Sequence, residues 1–166
     1  VVDFTRGRMG AGIPMNLREA AVAGTLEQVV DEMRGLYPER AIEATIASAL
    51  VLRCDPERVA QLLSNLLKNA LVHGSDQAPV AVVAALIGGE FVLSVANAGR
   101  DVPQDVIDGL FKPYWRAASR PGSEGLGLGL YIVDQIARGH NGTIEVSSRS
   151  GTTVFLFRMV PTVSVG

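Results

Sequence analysis

The stretch from Asp55 to Gly74 constrains the fold of this chain more than any other. Asp55-Pro56-Glu57 has the order of a helix start. The aspartate accepts from free backbone N–H groups, the proline has the φ of a first turn, and the glutamate lies at the positive end of the dipole. Val59, Leu62, Leu63, Leu66, Leu67, Ala70 and Leu71 follow at i, i+3, i+4 spacing, and Gly74 ends the run. A stripe this wide needs a second layer to cover it. Runs at 79–87 and 90–97 read as strands joined by Gly88-Gly89, and 143–148 and 152–158 as a hairpin around Ser150-Gly151. Residues 41–54 read as one or two strands, and Met15-Asn16-Leu17-Arg18-Glu19 as a short edge strand. Thr25 and Gln28 form a capping box, which predicts a helix over 25–36 that stops at Pro38. Pro103 starts a short helix to Leu110, and Leu126 to Arg138 is helical, with Gly139 as the stop. The expected fold is α+β: a two-layer sandwich with helices on one face of a mixed, mostly antiparallel sheet.

Composition narrows what such a domain does. The 166 residues are 48% hydrophobic but only 5% aromatic, so one core built on Leu, Val, Ile and Ala is expected. Net charge is −2 and the 15 cations are scattered, which disfavours nucleic acid as a partner. No apolar run approaches a membrane span. The single Cys54 excludes a disulfide scaffold or a cysteine metal site and reads as a small core residue. The first residues are not a signal peptide and do not start with Met, as expected of a piece of a longer protein. Residues 1–15 read as the end of a helix (Asp3 to Met9) and a linker, 16–160 as the domain and 161–166 as a tail.

Three clusters carry chemistry. Asn65, Asn69 and His73 are spaced by four and form one polar stripe beside the leucine face. Amide oxygens there suit Mg²⁺, which takes phosphate oxygens and waters as its other ligands; an ordinary wet helix face accounts for the same residues. Phe91, Leu93, Val95 and Asn97 share one face of a strand that turns at Gly99. The amide of Asn97 either reads the edge of an adenine or caps the turn. The run Gly122-Ser123-Glu124-Gly125-Leu126-Gly127-Leu128-Gly129-Leu130 enters a helix directly. It is either a phosphate cradle at a helix N-terminus or a hinge without a ligand; it is neither a Walker A loop nor a Rossmann fingerprint.

Taken together, in this order and spacing, the segments resemble the catalytic ATP-binding domain of sensor histidine kinases. That domain belongs to the larger ATPase family shared with gyrase, the heat-shock chaperone and the mismatch-repair MutL proteins. Asn65-Leu-Leu-Lys-Asn69-Ala-Leu-Val-His73 resembles its asparagine box, Asn97-Ala-Gly99-Arg-Asp-Val-Pro103 its first glycine box, and Leu110-Phe111-Lys-Pro-Tyr114-Trp-Arg116 its phenylalanine box. Gly125-Leu-Gly127-Leu-Gly129-Leu-Tyr-Ile-Val resembles the second glycine box; Gly139-His140-Asn141-Gly142-Thr143-Ile144 and Gly151-Thr152-Thr153 match the closing strands.

The resemblance implies a Bergerat-type ATP-binding fold, ATP and Mg²⁺ as cofactors, and a cytoplasmic setting. It implies that Asn69 ligates Mg²⁺, with Asn65 and Lys68 near the phosphates or the metal's waters and His73 flanking the nucleotide. Asn97 would read the adenine amine, with Thr152 supporting it directly or through a water. Gly99, Val102, Tyr114, Leu126 and Leu128 would contact the nucleotide, and Gly125, Gly127 and Gly129 would shape the lid and cradle. Residues 112–124 would form the mobile lid. Asn65 and Arg116 are implied in the transfer step, Arg116 at the γ-phosphate, with Lys68, Lys112 and Arg120 as further cations.

This chain departs from the pattern at two places: Asn97 stands where Asp is usual, and Asp101 where Gly is usual. Asn at that place is similar to a variant in phytochrome-linked kinases, and Asp3-Phe4-Thr5-Arg6-Gly7-Arg8 resembles the end of the dimerisation helix in that group. Where gyrase-like relatives carry a Glu base, this chain has Asn65, which favours phosphoryl transfer to a side chain over hydrolysis. The only histidines, His73 and His140, fall inside motifs, so the phosphoacceptor is expected upstream or on another chain. The partners implied are that dimerisation domain and a response regulator, with a homodimer formed through the upstream helices. Two other functions stay open at this point: a degenerate partner-binding module, and a serine/threonine kinase of the anti-sigma type.

Overall fold

The computed structural model describes residues 13–113 and 126–161. Its elements are β1 (Arg18–Ala21), α1 (Ala23–Leu36), β2 (Ile42–Ile46), β3 (Val51–Cys54), α2 (Pro56–His73), β4 (Val80–Ile87), β5 (Glu90–Ala98), α3 (Gln104–Gly109), α4 (Leu126–Gly139), β6 (Thr143–Arg149) and β7 (Thr152–Met159). Five strands form a sheet in the order β2-β4-β5-β7-β6; β2 runs parallel to β4 and the other pairs are antiparallel. This is the mixed, mostly antiparallel sheet expected. Gly88 and Gly89 take φ of 60° and 82° at the β4–β5 turn, the mirror-image geometry that suits the strand twist.

The leucine stripe of α2 is wholly inside. Val59, Leu62, Leu63, Leu66 and Leu67 have no exposed surface, and each such leucine contributes roughly 1.5–3 kcal/mol relative to exposure. α2 packs between α1 and α4 and against β5. The covering sheet face is built from alternate residues: Val80, Val82 and Ala84 on β4, Phe91, Leu93 and Val95 on β5, and Phe155, Phe157 and Met159 on β7. Asp55 caps α2 as expected, its Oδ1 accepting from the Arg58 N–H at 3.2 Å. Its Oδ2 accepts from the Asn16 N–H at 2.8 Å, which ties the approach to β1 to the same cap.

Two local expectations need correction. The capping box at Thr25 does not form: α1 begins two residues earlier at Ala23, with Val22 at the N-cap and no side-chain cap. Val22 is fully buried, its N–H donates to the Leu50 carbonyl and its own carbonyl accepts from Leu26, so tertiary anchoring sets the start. The edge strand lies at Arg18–Ala21, shifted toward the C-terminus, and pairs with β3. Residues 41–54 hold two strands that belong to different sheets, β2 in the main sheet and β3 in the small one. The helix expected at Asp3 to Met9 and the tail from 162 lie outside the described residues.

Candidate functional site

The polar stripe of α2 faces two other motifs. Asn65 and Asn69 are half-buried, while Lys68 and His73 are exposed. The Asn65 amide Nδ2 donates to the Gly129 carbonyl at 3.0 Å, a contact across 64 residues that ties the asparagine box to the first turns of α4. A Cβ on Gly129 would lie 4.0 Å from that nitrogen, and Leu128 and Gly129 are both half-buried beside it. Asn69 has no side-chain hydrogen bond among the described residues.

The other end of α2 meets the end of β5. The Ser75 N–H donates to the Ala98 carbonyl at 2.7 Å. A Cβ on Gly74 would stand 2.9 Å from Asn97 Nδ2, so only glycine lets the helix end approach this closely. Asn97 continues the inward face of Phe91, Leu93 and Val95, and is half-buried where they are buried. Its Nδ2 reaches the neighbouring Ala98 carbonyl at 3.3 Å, and no described group donates to its Oδ1. Three segments far apart in the chain, around 65–75, 97–99 and 128–129, thus border one region along α2.

The segment after Asn97 is fastened to the closing hairpin. The Gly99 N–H donates to the Gly151 carbonyl at 3.0 Å. Asp101 Oδ1 accepts from the Gly151 N–H at 2.8 Å, and the Val102 N–H donates to Ser148 Oγ at 2.7 Å. Asp101, a departure from the family pattern, therefore takes a structural role that glycine lacks. Thr152 is corrected by the register. It pairs with Ala98 and is exposed, whereas Thr153 pairs with Asn97 and is buried. Successive strand residues face opposite ways, so Thr153 shares the face of Asn97. Its hydroxyl bonds Ser148 Oγ at 2.8 Å. Thr153 and Ser148 went unread in the sequence because two adjacent threonines differ only in phase.

The residues present suit a nucleotide and a hard cation. Among the described residues no three His, Cys, Asp or Glu side chains group to hold a metal. A cation here would rest on an amide oxygen together with waters and phosphate oxygens, which Mg²⁺ accepts. Asn69, half-buried and without a hydrogen bond among the described residues, has an amide oxygen that fits such a role. Lys112 is exposed at the last described residues before 114. Tyr114, Arg116, Arg120 and Gly125 lie outside the described residues, as does all of the expected lid beyond Pro113. Leu126 and Gly127 are the first residues of α4. An open depression of about 390 Å³ lies elsewhere, against Asp55 and Gln61 at the opposite end of α2.

The description "Histidine kinase-, DNA gyrase B-, and HSP90-like ATPase" fits residues 54–162 as one family match. The chain belongs to this ATPase family. Over 161 residues, 96% of the chain, it is 35% identical to the bacteriophytochrome of Pseudomonas aeruginosa, of which it covers 22%. It resembles the catalytic domain of the histidine kinase ThkA with a TM-score of 0.77 at 23% identity, covering 89% of this chain and 97% of that one. Full-length ShkA in complex with AMPPNP gives a TM-score of 0.76 at 26% identity, covering 94% of this chain and 33% of that one. The chain thus spans 22% of the length of the first curated relatives it matches. No described helix is long and apolar enough to cross a membrane.

Two groups in this ATPase domain are structural. Cys54 has no exposed surface, and burial pushes its thiol up to about 11, so it is an inert core residue. His140 is buried, its Nδ1 donating to the Ile136 carbonyl at 2.8 Å and its Nε2 accepting from the Asp55 N–H at 3.1 Å. Its ring stands edge-on to Phe157, with centroids 6.0 Å apart. It thereby links the end of α4, the cap of α2 and β7.

Burial holds this imidazole below the ordinary histidine value, although the Ile136 carbonyl and the Asp55 carboxylate favour its charged form. A depressed folded value means the unfolded state binds the proton first. The His140 contribution is therefore complete above about pH 6.5 and declines as pH falls below it, by at most about 1.4 kcal/mol per pH unit. The wild-type urea midpoint should fall between pH 7.5 and 5.5 by more than that of His140→Gln. Equal pH dependence in the two proteins would contradict this role.

Proposed function

We propose that this chain is the ATP-binding kinase module of a two-component sensor histidine kinase. It transfers the γ-phosphate of ATP to a histidine of a dimerisation domain outside this chain, from which a response regulator receives it. The observation that carries the reading is the meeting of three motifs along α2. Asn65 contacts Gly129 at 3.0 Å, and Ser75 contacts Ala98 at 2.7 Å beside Asn97. The relative with a bound adenine nucleotide analogue, ShkA, supports the choice of ligand. The bacteriophytochrome relative supports the phytochrome-linked subgroup, whose sensor would lie outside this chain. A kinase of this class works on cytoplasmic ATP, which gives the module its setting.

Each residue has a part in that reaction. Asn97 offers Oδ1 to the adenine amine while its Nδ2 faces the Ala98 carbonyl. The amide oxygen of Asn69 holds the cation, and Mg²⁺ when bound neutralises charge on the phosphates. The N-terminal turns of α4, where backbone N–H groups lack helical partners, favour anionic oxygens. Asn65 cannot act as a base for water: it is an amide, and its Nδ2 is engaged by Gly129. This favours transfer over hydrolysis. In the transfer, a nitrogen of the acceptor imidazole bonds to the γ-phosphorus. The bond from that phosphorus to the β,γ-bridging oxygen breaks, and ADP leaves with its electron pair. Phosphoryl transfer of this type needs mainly positioning and charge stabilisation, a role for Lys68, Lys112, Arg116 and Arg120, with Arg116 at the γ-phosphate.

The test is to incubate the full-length protein with γ-labelled ATP and Mg²⁺. The expected product carries acid-labile label on histidine. Acid-stable label would instead indicate a serine/threonine kinase. Nucleotide binding with no transfer, even in the presence of the dimerisation helices, would indicate a non-catalytic module.

A further inference from the structure

Arg40, in the connection between α1 and β2, reaches the far end of α2. Its Nη1 donates to the Leu71 carbonyl and its Nη2 to the Ser75 carbonyl at 2.8 Å. The choice of Leu71 is informative. In a continuing helix that carbonyl would accept from the N–H four residues on, which is Ser75. Here the Ser75 N–H has left the helix and donates to Ala98 on β5 at 2.7 Å. Arg40 takes the carbonyl that Ser75 vacates and, with its second arm, holds the carbonyl of Ser75 itself. Between these two anchors lies Gly74, packed on Asn97. A cation is also favoured at the negative end of the α2 dipole.

The rest of the side chain shows that its fork is what the site uses. Arg40 Nε is buried and has no hydrogen-bond partner. A lysine would leave no such buried N–H unpaired, but one ammonium does not offer two fixed, parallel donors to two carbonyls. An arginine here tolerates an unpaired nitrogen while its two terminal nitrogens join the last turn of α2 to the start of the next segment.

We infer that Arg40 is a positioning residue for the nucleotide base: it holds the junction of α2 with β5 in the geometry that seats Asn97. It touches neither nucleotide nor phosphoacceptor. This rests on the nucleotide-binding reading above. Arg40 acts at the adenine end, so its loss should weaken ADP and ATP equally and leave the transfer step itself alone.

The experiment compares full-length wild type, Arg40→Met and Arg40→Lys. Titration calorimetry with ADP and ATP, each with Mg²⁺, should show Arg40→Met weaker by the same factor for both, about tenfold. KM for ATP should rise with it, while kcat at saturating ATP stays at the wild-type level. Arg40→Lys should recover part of the affinity. In the nucleotide-free protein, the Ser75 amide should exchange faster and the Asn97 side-chain amide resonances should shift. A folded Arg40→Met with wild-type affinity for both nucleotides overturns the inference and leaves Arg40 a helix cap. So do unchanged Asn97 resonances. If Arg40→Met does not fold, Arg40→Lys is read by the same measurements against the same two overturning results. If wild type binds neither nucleotide, the proposed function fails; the Ser75 exchange and Asn97 resonances still decide whether Arg40 positions the junction.

Discussion

Replacing Asn69 by alanine should abolish Mg²⁺-dependent nucleotide binding and leave the fold intact. The two halves of that expectation have separate causes. Asn69 is half-buried and makes no side-chain hydrogen bond among the described residues, so its removal strands no partner. Alanine is also the better helix former by tenths of a kcal/mol, so thermal stability should hold or rise slightly. The loss falls on the cation. Groups that merely orient a metal ligand cost about 10–100-fold in affinity when removed, and the ligand itself should cost at least roughly 100-fold. Calorimetry with ATP in Mg²⁺ and in chelator separates the contributions: the Asn69→Ala protein should resemble wild type in chelator. Unchanged affinity in Mg²⁺ would remove Asn69 from the site.

Gly74→Ala should damage stability and nucleotide binding together. Gly74 has φ −79° and ψ 168°, which any residue adopts, so backbone strain plays no part. The obstacle is space. A Cβ there would lie 2.5 Å from the Ala70 carbonyl oxygen, 2.9 Å from Asn97 Nδ2 and 3.0 Å from Asn97 Cβ. The first of these is backbone held within α2 and cannot swing away. Overpacking of this kind costs about 1–3 kcal/mol. Relief comes only by pushing the helix end from β5, which moves Asn97. Urea unfolding should show the lower stability, and ADP and ATP should both bind more weakly while the dependence on Mg²⁺ persists. A wild-type unfolding midpoint would show that the two elements separate without cost, and the close packing of Gly74 on Asn97 would then lose its importance.

These two substitutions differ in what made them visible. The stripe that holds Asn69 could be read from the chain because a helix has a fixed period: Asn65, Asn69 and His73 must line up whatever surrounds them, while the metal role of Asn69 came from the family resemblance. Asn97 was legible for a similar reason, since strand alternation places it after Phe91, Leu93 and Val95. Gly74 read only as a helix stop. Its second role, as the point where α2 meets Asn97, depends on two elements crossing, and no local pattern encodes a crossing. Thr152 and Thr153 show the same limit at smaller scale. Alternation predicts that one of them faces inward, but only the pairing of Asn97 with Thr153 says which. The capping box at Thr25 failed because a local hydrogen bond worth about 1 kcal/mol competed with the burial of Val22 and its bond to Leu50.

Local periodicity, hairpin glycines and the cap at Asp55 were enough to determine the two-layer class and most element positions, because each depends on residues a few positions apart; the four motifs were legible only through their resemblance to the family. Tertiary structure alone decided that Asn65 bonds Gly129, that Asp101 takes a structural role that glycine lacks, and that Arg40 bonds the carbonyls of Leu71 and Ser75 at the end of α2. Those contacts join segments brought together only when the sheet and helices close on one core. Their partners are largely backbone carbonyls and N–H groups, which every residue carries and no sequence pattern marks.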